Sequence, residues 1–473
     1  MSALHPELFT PAGQALLASF PPYTEQGAAD FNSKLRKRGL DPAFIASLLT
    51  QWRLRSAASA KFGPFAQRML FTDDGLQQAT RLTVAAHHAQ RFAAAGLTHV
   101  ADLGCGLGAD SLALAARGLR VTAVERDEGT AACATVNLSP FPTARVLHAD
   151  ATTLNLAALG VNAIFADPAR RRAGGGRLTR PDDWSPSLST VFSWRKHAAA
   201  LGVKVAPGID LSLLPPDSHT QWASVDGEMV EAAIWCGPLA LEGPGRSALV
   251  IRGASAHVFS EAGDPSRPHE QLPAAPLGEF LFEPDGAVIR AGLIPTIAAH
   301  LDAAPISPAI AYLTSNSAPA CLDDVPAVPA ASAASSSGSG ADAGAPVNAP
   351  AGGELGGDSA QAGHPPAPVG NGGSAAGHRA SGPGGAAGRA GTSAEKSAFY
   401  RAYRVLEVLP LKAAAISKWA RANDVGVLEI KKRGADLDPA TLRAAAKLKG
   451  DRAATLIATR VEGRHRAIVV EAL

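Results

Sequence analysis

The spacing of apolar positions along this chain changes twice, and each change marks a boundary. Over residues 1–95 apolar positions recur at helical intervals, as in Pro11-Ala-Gly-Gln-Ala-Leu-Leu and Asp41-Pro-Ala-Phe-Ile-Ala-Ser-Leu-Leu-Thr. That spacing predicts helices burying one face each. Asp41 before Pro42 reads as a helix start, with proline in the first turn. A further helix is expected from Leu76 to Ala95, ending at Gly96. Beyond Gly96 short apolar runs take over: His99-Val-Ala-Asp-Leu, Arg120-Val-Thr-Ala-Val, Ala144-Arg-Val-Leu-His, Ala163-Ile-Phe-Ala and Val203-Lys-Val-Ala. The earlier runs alternate with helical stretches, which predicts an α/β fold with a parallel sheet covered on both faces. Met229-Val-Glu-Ala-Ala-Ile-Trp and Ser247-Ala-Leu-Val-Ile follow with no helix between them, so they are expected to form an antiparallel pair at one edge.

The second change is the loss of apolar residues altogether. From Ala318 to Glu395 the chain is mostly Ala, Gly, Pro and Ser, and between Ala331 and Ala394 the large aliphatics are Val347, Leu355 and Val369 alone. Such a segment cannot bury enough apolar surface to offset its backbone entropy, so 318–395 is expected to be a disordered insertion. It interrupts a small α+β unit. Before it stand an expected strand pair, Phe280-Leu-Phe and Ala287-Val-Ile-Arg, and a helix over Leu293–Leu301. After it, strands are expected near Ala402–Leu409, Gly426–Lys431, Ala454–Ala458 and His465–Val470. Helices are expected over Ala413–Ala422 and Pro439–Lys447. The expected organisation is a helical region over 1–95, an α/β domain over 96–260, and one α+β domain built from 277–317 and 396–473.

Charge sharpens this division. The whole chain carries 44 Lys and Arg against 42 Asp and Glu. Residues 400–473 hold 15 Lys and Arg against 8 Asp and Glu, so the last unit is basic and the rest mildly acidic. Concentrated positive charge on one module suits a phosphate backbone. The four cysteines, Cys105, Cys133, Cys236 and Cys321, lack zinc-cage or redox-pair spacing and are too few for a disulfide scaffold. No metal site is expected. Without a leader pattern or a run of about 18 apolar residues, the expectation is a cytoplasmic protein that does not enter membranes.

The strongest motif is Ala101-Asp102-Leu103-Gly104-Cys105-Gly106-Leu107-Gly108-Ala109-Asp110, at an expected strand-to-helix turn. Glycines there permit a tight turn and close backbone approach to a ligand, and the helix N-terminus offers unpaired N–H groups. Gly104, Gly106 and Ala109 satisfy a dinucleotide-type pattern, and Glu125 stands about 20 residues on, where an acid binds ribose hydroxyls. Three further acids favour S-adenosylmethionine over a dinucleotide. Asp102 at the strand tip suits a cationic amino group and would repel a pyrophosphate. Asp150 follows the third strand, placed to accept from an adenine amine. Asp167-Pro168-Ala169-Arg170 closes the fourth.

In this order Asp102-Leu-Gly104-Cys-Gly106-Leu-Gly108, Glu125, Asp150 and Asp167-Pro168 resemble the motifs of class I methyltransferases. More closely, the chain resembles bacterial class I methyltransferases with a C-terminal THUMP-like domain. Supporting segments are Ala58-Ser-Ala-Lys-Phe-Gly, Met69-Leu-Phe-Thr, Val203-Lys-Val-Ala-Pro-Gly and Leu428-Glu-Ile-Lys-Lys-Arg-Gly. The resemblance implies a seven-stranded Rossmann-like sheet with its last strand antiparallel. It also implies methyl transfer from S-adenosylmethionine and, through the THUMP-like domain, an RNA partner, tRNA or rRNA. On it, Asp102, Gly104, Gly106, Gly108, Glu125 and Asp150 hold the cofactor, and Asp167 and Pro168 orient an exocyclic amine. Ala169 and Arg170 replace the second proline and aromatic ring of the amino-methyltransferase pattern. Arg170, Arg171, Arg172, Lys431, Lys432 and Arg433 are candidate phosphate contacts. Lys204, Asp210, Glu228 and Glu231 stand near expected strand ends on the substrate side. A uridine-C5 reaction would need a cysteine nucleophile. A small-molecule methyltransferase with a C-terminal dimerisation domain, and a non-catalytic RNA-binding protein, remain as competing readings.

Overall fold

The computed structural model describes residues 4–170, 176, 178, 180–308, 310–319 and 397–473. Almost the whole Ala/Gly/Pro/Ser-rich segment, together with Arg171 and Arg172, lies outside them.

The first region holds helices α1 (Pro11–Ala18), α2 (Glu25–Lys37), α3 (Pro42–Phe62), α4 (Asp73–Gln78) and α5 (Leu82–Ala94). Asp41 caps α3, accepting from the N–H groups of Ala43 and Phe44 at 2.8 and 3.0 Å. The α3 core face carries Phe44, Leu48, Trp52 and Phe62. Two buried polar side chains of α3 hold the Met69-Leu-Phe71 segment. Gln51 clamps both backbone groups of Phe71 at 2.7 and 2.9 Å, and Arg55 donates to the Met69 carbonyl at 2.8 Å. Asn137 does the same for Leu70 from the other side, at 2.7 and 3.0 Å. A buried extended segment has no ladder of its own, so side chains complete its hydrogen bonding. The helical region shares its core with one face of the following sheet, where Val100, Val121, Phe165 and Trp235 join Phe62, Phe71 and Phe92.

That sheet is built from β1 (His99–Leu103), β2 (Arg120–Glu125), β3 (Ala144–His148), β4 (Ala163–Ala166), β5 (Ala200–Val205), β6 (His219–Val225), β7 (Glu228–Cys236), β8 (Gly245–Arg252) and β9 (Ser255–Ala262). Helices α6 (Ala109–Ala116), α7 (Glu128–Leu138) and α8 (Leu188–Ser193) connect its first half. The strand order is 3-2-1-4-5-7-6-8-9. The first five are parallel, and β7 is antiparallel to both neighbours. The first seven positions are thus the expected Rossmann-like sheet, and β8 and β9 extend it to nine strands. One expectation needs correction. Met229–Trp235 and Ser247–Ile251 do not pair with each other, because β6 lies between them, antiparallel to β7 and parallel to β8.

The second sheet comprises β10 (Phe280–Pro284), β11 (Ala304–Pro305), β12 (Leu313–Ser315), β13 (Tyr400–Pro410), β14 (Val425–Lys432), β15 (Arg452–Val461) and β16 (Arg464–Ala472). Its order is 11-12-10-13-16-15-14. The β10–β13 ladder joins chain from before and after the Ala/Gly-rich segment. Between β10 and β11 lie α9 (Gly286–Arg290) and α10 (Ile294–His300), and α11 (Ala413–Ala422) and α12 (Pro439–Ala446) cover the C-terminal strands. Ala287–Arg290 is therefore helix where a strand was expected. Asp285 caps it, accepting from the Ala287 N–H at 2.9 Å, and a run of only three apolar residues fits either period. The same carboxylate accepts from Ser224 on β6 at 2.6 Å and from Arg252 on β8 at 3.1 Å, tying the two sheets together.

Candidate active site

The glycine-rich turn leaves β1 with Gly104, Gly106 and Gly108 at φ 85°, 55° and 84°. L-residues rarely adopt that region. The N–H groups of Gly104 and Cys105 both donate to the Val124 carbonyl on β2, at 2.9 and 3.0 Å, which pins the turn between the two strands. A Cβ on Gly104 would stand 2.8 Å from the Asp167 carbonyl, whereas one on Gly106 would meet open space. Backbone thus approaches backbone on one side and faces a cavity on the other. The cavity measures about 970 Å³, within the range of small-ligand sites, and Gly106, Glu125, Asp150, Asp167 and Lys204 are among its lining residues. The N-terminal region supplies another wall through Lys61, Asp74, Thr80 and Arg81.

Glu125 ends β2 and turns its carboxylate back across the turn. It accepts from the Gly106 N–H at 3.0 Å and the Asp127 N–H at 2.9 Å. Asp127, two residues on, is occupied as the cap of α7, accepting from the Thr130 N–H at 2.9 Å. Asp150 is exposed at the cavity edge, in a turn where it accepts from the N–H and hydroxyl of Thr152. These bonds hold it below the usual carboxylate range. Asp102 lies beneath the turn, only 1% exposed, and accepts from the Ser111 hydroxyl at 2.6 Å. Burial, reinforced by Asp110 and Asp167, pushes its carboxyl up to about 8.

Behind Asp167 runs a chain of buried polar groups. Lys204 on β5 donates to Asp167 Oδ2 at 2.6 Å and to the Thr80 hydroxyl at 2.8 Å. Thr80 donates to Asp110 Oδ2 at 2.7 Å, and Asp110 Oδ1 meets His88 Nδ1 at 2.8 Å. His88 Nε2 stands 3.0 Å from Glu231 Oε1. Burial pulls the His88 imidazolium down, but Glu231 and Asp110 on either side outweigh it and hold it charged, at about 9. Burial likewise opposes the Lys204 charge, and Asp167, Glu231 and Asp110 together raise it above the ordinary lysine value.

Comparisons with known proteins separate the fold from the family. The crystal structure of a methyltransferase candidate from Porphyromonas gingivalis superposes with a TM-score of 0.61 at 16% identity, covering 95% of this chain and 99% of that one. That likeness shows the fold. A methyltransferase domain model matches residues 101–167, a THUMP domain-like model matches 400–472, and a domain of unknown function matches 5–58. Two uncharacterized S-adenosylmethionine-dependent methyltransferases of Mycobacterium tuberculosis strains are each 31% identical over 293 residues, covering 57% of this chain and 74% of the relative. The chain belongs to the S-adenosylmethionine-dependent methyltransferases. Its cofactor is S-adenosylmethionine, and the glycine cradle at the tip of β1, open on the cavity side at Gly106, is shaped to admit it.

In this methyltransferase the residues singled out in the sequence do not all meet. Asp102, Gly104, Gly106, Glu125, Asp150, Asp167, Pro168 and Arg170 line one cavity. Gly108 sits just behind it as the left-handed cap of α6. Arg171 and Arg172 lie outside the described residues. The basic trio of the THUMP-like module is largely engaged within the fold. Lys431 donates to the Tyr403 hydroxyl at 2.6 Å and to Glu283 at 3.3 Å. Arg433 binds the Ala311 carbonyl at 3.1 Å and covers the Tyr312 ring. Both also face the single carboxylate of Glu283 on β10, at 3.3 and 4.0 Å. Lys432 is exposed, with its ammonium 2.7 Å from the Leu437 carbonyl. Of the acids on the substrate side, Glu228 pairs with Arg81, Glu231 pairs with His88, and Asp210 binds Ser212. Thr80, His88 and Asp110 escaped sequence reading as site residues, although His88 among the apolar positions of α5 and Asp110 in the first turn of α6 were the available signal. No metal-binding group occurs among the described residues, and no described helix is long and apolar enough to cross a membrane.

Proposed function

We propose that this methyltransferase transfers a methyl group to an amino nitrogen of a base in structured RNA, tRNA or rRNA. The observation that carries this reading is the Asp167-Pro168 corner. It stands at the end of β4, against the glycine turn, in a chain that also carries a module of THUMP-like sequence. When bound, S-adenosylmethionine supplies an activated methyl group on a sulfonium. In this reading Glu125 holds the ribose hydroxyls, Asp150 the adenine amine, and Asp102 the cationic amino group. Gly104, Gly106 and Gly108 let the backbone approach. Asp167, with one carboxylate oxygen fastened to Lys204, offers the other to an amine N–H of the base. In this reading the adjoining backbone carbonyl accepts a second. Two acceptors fix the amine and direct its lone pair, and such alignment supplies much of the acceleration in a displacement.

The described cavity lining contains no aromatic ring. Arg170, at the position where the amino-methyltransferase pattern places one, has a planar guanidinium on which a base can stack. Carbon methylation through a thiolate is disfavoured on this reading. Among the described cysteines only Cys105 lines the cavity, and burial, with Asp102 and Glu125 nearby, holds its thiol well above the ordinary value. The test is to incubate the purified protein with methyl-tritiated S-adenosylmethionine and RNA from a strain lacking the gene. Label in RNA is the expected result. Label that enters only small molecules of a cell extract would contradict it.

A further inference from the structure

We propose that Lys204 is a positioning residue for Asp167, and that the N-terminal helical region holds it in place through Thr80. The proposal rests on the reading of Asp167 as the group that meets the acceptor amine. A carboxylate at a strand end turns easily about its last torsion. Asp167 is 25% exposed on the cavity side, whereas the Lys204 ammonium is 4% exposed and has two neighbours in fixed directions. One, at 2.6 Å, is Asp167 Oδ2, and the other, at 2.8 Å, is the Thr80 hydroxyl. A charge-assisted bond to a single oxygen fixes the carboxylate plane and leaves the second oxygen toward the cavity. The ammonium cannot swing away, because leaving would strand two buried acids, Asp110 and Glu231, with only His88 to balance them, and leave the partly exposed Asp167 without its partner.

Thr80 is the hinge of this arrangement. Its hydroxyl accepts from Lys204 and donates to Asp110 at 2.7 Å, so it has one preferred orientation. Asp110 is in turn held by His88 of α5 at 2.8 Å. The segment leading into α5 therefore lines the cavity and sets where the lysine stands. Supporting groups of this kind commonly decide whether a reacting side chain sits within about 0.5 Å of its working position.

A double-mutant cycle tests the proposal. Single-turnover transfer of tritium from S-adenosylmethionine to RNA from the deletion strain is measured for Lys204→Met, Asp167→Asn and the double variant. Cofactor affinity is measured by calorimetry. Lys204→Met is expected to slow transfer by about 10²-fold, the cost of a displaced reacting group, with cofactor affinity within about 3-fold of the parent. In the Asp167→Asn background the same change is expected to cost less than about 3-fold, because the carboxylate that Lys204 positions, and with it the second acceptor oxygen, is already gone. Equal losses in both backgrounds would overturn the proposal. So would a crystal structure of Lys204→Met with the Asp167 carboxylate unmoved. An Asp167→Asn variant of parental rate would instead refute the role of Asp167 itself, a failure distinct from additivity. If Lys204→Met does not fold, Thr80→Val serves in the same cycle, with an expected loss of about 10-fold that vanishes beside Asp167→Asn.

Discussion

At the scale of single residues the site is dominated by acids in unequal surroundings. Asp150 is exposed and held ionised by Thr152, whereas Asp102 is buried and raised to about 8. On its proposed role, Asp102 must lose its proton to bind a cationic amino group. Cofactor affinity is therefore expected to rise with pH up to about 8, by at most about tenfold per unit. It should fall above that, as the α-amino group of the ligand, whose ordinary value is about 8, loses its own charge. Calorimetry between pH 6 and 9 checks this, and Asp102→Asn is expected to weaken binding and abolish the rising limb. Affinity independent of pH in the parent would contradict the role. The acids of the cofactor motifs that line the cavity were legible in the sequence because each stands at or just beyond a strand's end. The network behind Asp167 was not, since Lys204, Thr80, Asp110 and His88 are far apart in the chain and meet only through packing.

At the scale of elements, the parallel strands were readable from short apolar runs between helices. β6 was not. Its sequence His219-Thr-Gln-Trp-Ala-Ser-Val mixes polar and apolar residues on a fully buried strand, because His219 and Gln221 are satisfied internally by Ser247 at 2.9 and 3.1 Å. The Asp226-Gly227 pair after it, both at positive φ, is the hairpin signal that would have found it. The turn after β1 offers the sharpest test at this scale. Gly104→Ala places a methyl 2.8 Å from the Asp167 carbonyl at φ 85°. A cost of about 1–3 kcal/mol is expected for the strained backbone. Urea unfolding measures that cost, and calorimetry is expected to show cofactor affinity reduced by more than about tenfold, since the backbone must shift. The Asp41 cap of α3 is further from the chemistry. Asp41→Ala is expected to cost about 1 kcal/mol with transfer rates unchanged.

At the scale of the whole molecule, one catalytic sheet is walled by an N-terminal helical region and joined through Asp285 to a second sheet of THUMP-like sequence. The net positive charge of residues 400–473 was visible in composition. What composition could not show is that Lys431 and Arg433 face Glu283, whereas Lys432, Lys447 and Lys449 are among the exposed basic residues that could contact phosphates. If that module holds RNA, binding of total tRNA or rRNA should weaken steeply with salt. Each exposed lysine replaced by alanine should lower the slope of log affinity against log salt by about one if it contacts a phosphate. The most direct test of the central claim is mass spectrometry of nucleosides from total RNA of parent and deletion strains, with the deletion complemented by parent or Asp167→Asn genes. The account predicts that one methylated nucleoside disappears on deletion, returns with the parent gene, and fails to return with Asp167→Asn. Identical nucleoside profiles in parent and deletion strains would contradict it.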